Sequence, residues 1–203
     1  MFDGVALLPP DVTMGLAHDS FRFSLASAPA LIRSATGDDA RRSLIAEYYN
    51  NVLIGLEVHH HGEEELYFPL LIERFPDKRE KVDLGVKQHH EVLSFLGVAT
   101  DALTQWGAKG DPESATVLAS LGALEEALSV HLEYEEKSIV PLEDGLTPED
   151  RTNCLARMGE HHAARIPDLP LFLLSLGHGG AFLWQTVGEG SFRDLIAEVP
   201  QTA

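Results

Sequence analysis

The strongest constraint in this 203-residue chain is a pair of matching segments in which histidine and glutamate fall on the apolar stripe of a helix. The first reads His59-His60-His61-Gly62-Glu63-Glu64-Glu65-Leu66-Tyr67-Phe68-Pro69. The second reads His131-Leu132-Glu133-Tyr134-Glu135-Glu136 and is followed by Pro141, so both obey H-x3-E-E-x4-P. Ahead of the first, Ile45, Tyr48, Val52 and Leu56 recur at steps of three and four, and the same stripe runs on to His59, Glu63, Leu66 and Leu70. Ahead of the second, Val117, Leu121, Leu124 and Leu128 lead into His131 and Glu135. Helical residues i and i+4 lie about 6 Å apart on one face, so each pair can converge on a single ion or on a metal pair.

Two more helices complete the pattern. Asp11 is placed to cap a first helix with the stripe Met14, His18, Phe21, Leu25 and Ala28, which Pro29 is expected to kink or end. The polar run Thr36-Gly37-Asp38-Asp39 separates it from a second helix of about 35 residues, reaching toward Phe75-Pro76 with a kink expected at Pro69. A third begins between Asp77 and Glu80 and ends near Trp106, with Val82, Val86, His89, Val92, Leu96, Ala99 and Leu103 on one face. Asp111-Pro112-Glu113 opens a fourth, which ends near Asp144-Gly145.

Four long helices joined by short polar links predict an all-α fold, an antiparallel up-down-up-down four-helix bundle over residues 1–145. Residues 146–203 read as a C-terminal helical extension packing on that bundle. It has a helix from Thr147 to about Ala164, an interrupted apolar run from Leu169 to Trp184, and a short helix after Ser191 carrying Phe192, Leu195, Ile196 and Val199.

Each of the four helices contributes one histidine to its apolar seam, namely His18, His59, His89 and His131, and the second and fourth add Glu63 and Glu135 one turn later. A charged carboxylate inside an apolar bundle costs several kcal/mol unless it is paired or bound to a cation, so these six donors point to metal. Imidazole and carboxylate suit iron, zinc, manganese or copper, whereas four histidines are too many for calcium or magnesium. Six donors exceed one tetrahedral zinc site. Two carboxylates can bridge two ions, which favours a dinuclear centre with iron as its occupant.

These residues resemble the hemerythrin-like family, also called the HHE cation-binding domain. The resemblance covers roughly residues 11–145 and is carried by His18-Asp19, the segment His59 to Pro69, His89-His90-Glu91, and the segment His131 to Glu136 with Pro141. It implies a non-haem di-iron site with His18, His59, Glu63, His89, His131 and Glu135 as ligands and the two glutamates bridging. Oxygen-carrying members place a fifth histidine one turn after the third-helix ligand, and that position here is Leu93, which counts against reversible oxygen carriage. The carrier spacing would also select Glu136 in place of Glu135; the seam favours Glu135.

Three functional classes follow. One is an oxidoreductase reducing oxygen or peroxide, in a catalase-like or peroxidase-like way. A second is a module that binds or senses oxygen, nitric oxide or iron without turnover, and the third is a purely structural bundle. The flanking His60, His61 and His90 read as solvated or supporting residues, Glu64, Glu65, Glu133 and Glu136 as surface charge, and His161, His162 and His178 as lying outside the site. Fifteen basic against thirty-two acidic residues give a net charge of −17, which disfavours nucleic acid and anionic membranes as partners. The opening Met1–Pro10 lacks a basic run before its apolar residues, and the single Cys154 cannot close an internal disulfide, so a cytoplasmic location is expected. The E-x-x-H of ferritin-like di-iron bundles occurs at Glu57–His60, but Leu128 stands where its partner copy would need a glutamate.

Overall fold

A computed structural model describes residues 14–166, and among them every regular element is helical. Helix α1 spans Met14–Ser34, α2 Asp39–Gly62, α3 Phe68–Arg74, α4 Arg79–Lys109, α5 Ser114–Ser138 and α6 Pro148–Arg165. Four of these are long, and they touch in a closed ring: α1 meets α2 and α5, and α4 meets α2 and α5. The expected C-terminal run Leu169–Trp184, the helix after Ser191 and the cap at Asp11 lie outside the described residues.

Local chemistry explains most of the boundaries. Asp38 accepts from the Arg41 amide and starts α2, and Thr147 accepts from the Asp150 amide and starts α6, each satisfying a donor that a helix start leaves open. Gly110, at φ 85°, ends α4 in a conformation that only glycine adopts without strain. Pro29 does not end α1, which continues five residues further to Ser34. Its missing amide forfeits only the bond to Leu25, and the apolar residues beyond it, Leu31 and Ile32, are buried and hold the last turn in place.

The long second segment is interrupted upstream of the proline expected to disturb it. Between α2 and α3, residues Glu63–Tyr67 form one π-helical turn in which the Phe68 amide donates to the Glu63 carbonyl, five residues back. Pro69 has no amide to return to Glu65, so the wider turn absorbs the break without stopping the helix. Asp111–Glu113 and Val140–Gly145 are 3-10 turns that open and close α5. The run Asp111–Gly145 is long and apolar enough to cross a membrane by length and composition alone; here Val117, Leu121, Leu124, Leu128 and Leu132 are core residues.

Two apolar clusters form the interior. The larger contains Phe21 and Leu25 of α1, Ile45 to Leu56 of α2, Val92 to Trp106 of α4 and Val117 to Leu132 of α5. The smaller contains Tyr67, Phe68, Leu71, Val82, Ile139 and Leu146, with Met14 packed against it. Buried hydroxyls within the larger cluster are satisfied: Tyr49 donates to the Ser24 carbonyl at 2.8 Å, and the Tyr48 and Ser24 hydroxyls pair at 3.1 Å. Between the clusters lies a polar layer to which all four long helices contribute.

Candidate metal centre

That layer is assembled by helical spacing. His59 and Glu63 share one face of α2 and its π turn, His131 and Glu135 share one face of α5, and α1 and α4 supply His18 and His89 from opposite sides. His59 is 3% exposed, and His18, Glu63, His89, His131 and Glu135 are fully buried. Each carboxylate sits between two imidazoles of different helices. Glu63 has Oε1 at 3.2 Å from His59 Nε2 and Oε2 at 3.4 Å from His89 Nε2. Glu135 Oε2 lies 3.3 Å from His18 Nε2 and 3.4 Å from His131 Nε2.

These approaches are close but are not aligned as hydrogen bonds. Of the twelve buried side-chain nitrogen and oxygen atoms without a hydrogen-bond partner among the described residues, ten belong to this layer: both oxygens of Glu63 and of Glu135, the Nε2 atoms of His18, His59, His89 and His131, and both ring nitrogens of His60. A buried polar group left unpaired costs about 1–3 kcal/mol, so such a concentration needs a shared partner. A cation satisfies lone pairs on imidazole nitrogen and carboxylate oxygen together, and the donors fall into two overlapping groups suited to one. His18, His59 and Glu63 form the first; His60, Glu63, His89 and His131 form the second, with ligand atoms within 4.8 Å of one another in each.

Outside the layer, further side chains hold the imidazoles in one orientation. Glu136 lies 3.0 Å from His18 Nδ1 and is itself held by Arg22 at 2.7 and 3.0 Å. Glu64 lies 2.8 Å from His89 Nδ1, and the Gln88 amide oxygen 3.4 Å from His131 Nδ1. A carboxylate accepting the Nδ1 proton leaves Nε2 with a free lone pair directed inward, the usual support for a metal-bound histidine. The doubled glutamates therefore divide the work, one facing the layer and the next reaching across to a histidine of a neighbouring helix.

The electrostatics of the layer's own groups follow from burial and crowding. Burial, reinforced by the charge of Glu135, raises the Glu63 carboxyl to about 7. Burial also pulls His131 down to about 4 and pulls His59 and His60 well below the ordinary imidazole value, with neighbouring histidines adding to the effect. His18 and His89 go the other way: burial pulls them down, but Glu135 beside His18 and Glu63 beside His89 outweigh it. Protons on these groups compete with a cation for the same lone pairs.

A model of the hemerythrin HHE cation-binding domain matches residues 16–142, more than half of the chain. The chain belongs to the hemerythrin family. Neither the comparison with curated proteins nor that with solved structures returned a match. The matched hemerythrin domain contains the whole polar layer and ends before α6, which packs against α2 and the π turn. There Gly62 leaves room for Met158, whose Cε would stand 2.9 Å from an added Cβ, and His161 Nε2 donates to the Val58 carbonyl at 3.2 Å.

All six seam residues singled out in the sequence come together in this layer, and Glu135, rather than the half-exposed Glu136, faces it. Two readings need correction. His60 is fully buried in the layer, not solvated, whereas His61 and His90 are exposed as expected. Glu64 and Glu136 are not idle surface charge but pair with His89 and His18. His161 and His162, on α6, are buried but lie outside both donor groups as expected, with the His162 ring 6.2 Å from that of His59. The repeated second glutamate was the available signal for the supporting carboxylates; His60 had none beyond its adjacency, because a stripe read at steps of three and four passes beside it.

Proposed function

We propose that this hemerythrin domain holds two iron ions, with His18, His59, Glu63, His89, His131 and Glu135 as ligands and Glu63 and Glu135 bridging, and that it reacts there with oxygen or hydrogen peroxide. The observation that carries this reading is the position of the two carboxylates, each between imidazoles of two helices and each with neither oxygen hydrogen-bonded among the described residues. A single tetrahedral ion uses four donors, and more than four are gathered here. Imidazole with carboxylate and no thiolate suits iron.

The order of layers along each helix supports an up-down-up-down bundle. Helix α1 runs from Met14 beside the smaller cluster through His18 to Phe21 in the larger, and α4 likewise from Val82 through His89 to Val92. Helices α2 and α5 run the opposite way, from Leu56 through His59 to Tyr67 past the end of α2, and from Leu128 through His131 to Ile139 just past α5. We assign residues 1–145 to the metal-binding bundle and the remainder to a C-terminal extension, of which α6 packs on α2 and the π turn.

Bound iron would supply a redox couple and a coordination position for a small oxygen species. The chain's own part is to hold the ligands apart from bulk water, keep the Nδ1–H groups of His18 and His89 donating to Glu136 and Glu64, and admit only small molecules, since the residues of the layer are at most 3% exposed. In a catalase-like reaction two peroxide molecules give water and dioxygen, whereas a peroxidase-like one needs an external electron donor. A module that binds oxygen, nitric oxide or iron without turnover uses the same ligands.

Iron-loaded protein exposed to hydrogen peroxide separates these readings. Consumption above that of an equal amount of free iron, lost in Glu63→Ala and Glu135→Ala, supports reaction with peroxide. A reversible oxygen adduct through repeated deoxygenation, with no such consumption, points to carriage or sensing.

A further inference from the structure

We infer that His60 is a direct ligand of this centre, on the ion that His89 and His131 also hold. The inference rests on the dinuclear reading above and concerns how its ligands are divided. His60 is fully buried on α2, and among the described residues neither of its ring nitrogens has a hydrogen-bond partner. A neutral imidazole always carries one donor and one acceptor, so burying both unpaired costs about 1–3 kcal/mol for each. A residue kept only to fill space would do better as leucine.

The position of the ring says where its lone pair belongs. His60 stacks on His89 with ring centroids 4.2 Å apart and planes 12° from parallel, and meets His131 edge-on at 5.0 Å. A ligand atom of His60 lies within 4.8 Å of those of Glu63, His89 and His131, close to the span covered by two ligands each about 2.1 Å from one ion. The adjacent His59 turns the other way, its Nε2 on Glu63 Oε1 and its ring edge-on to His18 at 5.6 Å. Residues i and i+1 diverge by about 100° around a helix, so two neighbours can both face inward where a helix is flanked on both sides. Helix α2 is flanked in this way, by α1 beside His59 and by α4 beside His60.

The resulting division is asymmetric. His60, His89 and His131 gather on one side of the two carboxylates, and His18 and His59 on the other. The half-buried Leu93 one turn after His89 therefore does not leave the α4 side short of a nitrogen donor, because α2 provides it.

The test is made on the full chain. Wild-type protein loaded anaerobically with Co(II), a paramagnetic probe, should show five hyperfine-shifted imidazole N–H proton signals for two ions bound. Four signals with two ions bound overturn the assignment of His60 and leave the dinuclear centre standing; a wild-type capacity of one ion overturns both. In His60→Ala and His60→Gln the affinity of one ion should fall about a hundredfold or more, beyond what loss of a supporting hydrogen bond produces, while the other ion is retained. Free imidazole should restore the second ion to His60→Ala by occupying the space the ring leaves. Undiminished binding of two ions by either variant overturns the assignment.

Discussion

Replacing Glu63 by glutamine should move the stability of the metal-free and metal-loaded proteins in opposite directions. The Glu63 carboxyl is fully buried, and its two oxygens have no hydrogen-bond partner among the described residues. Burial, with the charge of Glu135, lifts it from 4.5 to about 7. The sign of the effect is fixed by linkage. Below about pH 4.5 the carboxyl is protonated folded and unfolded alike and contributes nothing; between there and about 7 only the folded state keeps the proton; above about 7 the fold carries the full cost of the buried charge. At about 1.4 kcal/mol per pH unit, that cost is on the order of 3 kcal/mol. Glutamine has the same shape, carries no charge, and places its amide where His59 and His89 approach at 3.2 and 3.4 Å.

Urea unfolding of the metal-free proteins should therefore find Glu63→Gln more stable by about 3 kcal/mol at about pH 8 and by little at about pH 4.5. With iron present at about a thousandfold excess over its dissociation constant, the wild type gains about 4 kcal/mol that the variant does not, so the order reverses. A metal-free Glu63→Gln no more stable than wild type at the higher pH, or a difference that ignores pH, would refute the reasoning.

Three further outcomes are expected. Iron loading should weaken as pH falls below about 7, by up to tenfold per pH unit for each proton displaced, because Glu63 must lose its proton to bind metal; titration calorimetry in buffers of different ionisation enthalpy would reveal the released protons, and pH-independent loading would contradict this. Glu136→Gln and Arg22→Ala, which disturb the group holding His18 Nδ1, should lower metal affinity about 10–100-fold without unfolding the chain, as read by competition with a chromophoric chelator. Gly62→Ala should loosen α6, because the new methyl meets Met158 Cε at 2.9 Å and His161 Cδ2 at 3.3 Å; faster amide exchange confined to Pro148–Arg165, at a stability cost of about 1 kcal/mol, is the expected reading.

How far the chain could be read in advance depended on the type of signal. The four long helices and the inward course of His18, His59, Glu63, His89, His131 and Glu135 follow from a repeat of three and four residues, which reports one face of a helix at a time. His60 escaped because α2 is enclosed on two sides, so its buried arc is wider than a single stripe. The pairings of Glu64 with His89 and Glu136 with His18 join helices remote in sequence, and no local pattern specifies which helices become neighbours. At Pro69 the missing amide was legible, but its result, a π turn over Glu63–Tyr67 instead of a kink at the proline, depends on a chain packed on both sides of the break. Helix α1 passing through Pro29 has the same origin, since burial of Leu31 and Ile32 outweighs one lost hydrogen bond.

Low-temperature Mössbauer spectroscopy of protein loaded with isotopically enriched iron, with the iron-to-chain ratio determined on the same sample, tests most directly whether Glu63 and Glu135 join two ions. The account predicts two irons per chain in an exchange-coupled pair, with two signals of equal area that both collapse when Glu63 or Glu135 is replaced by alanine. One uncoupled high-spin iron per chain, unaffected by either replacement, would contradict it.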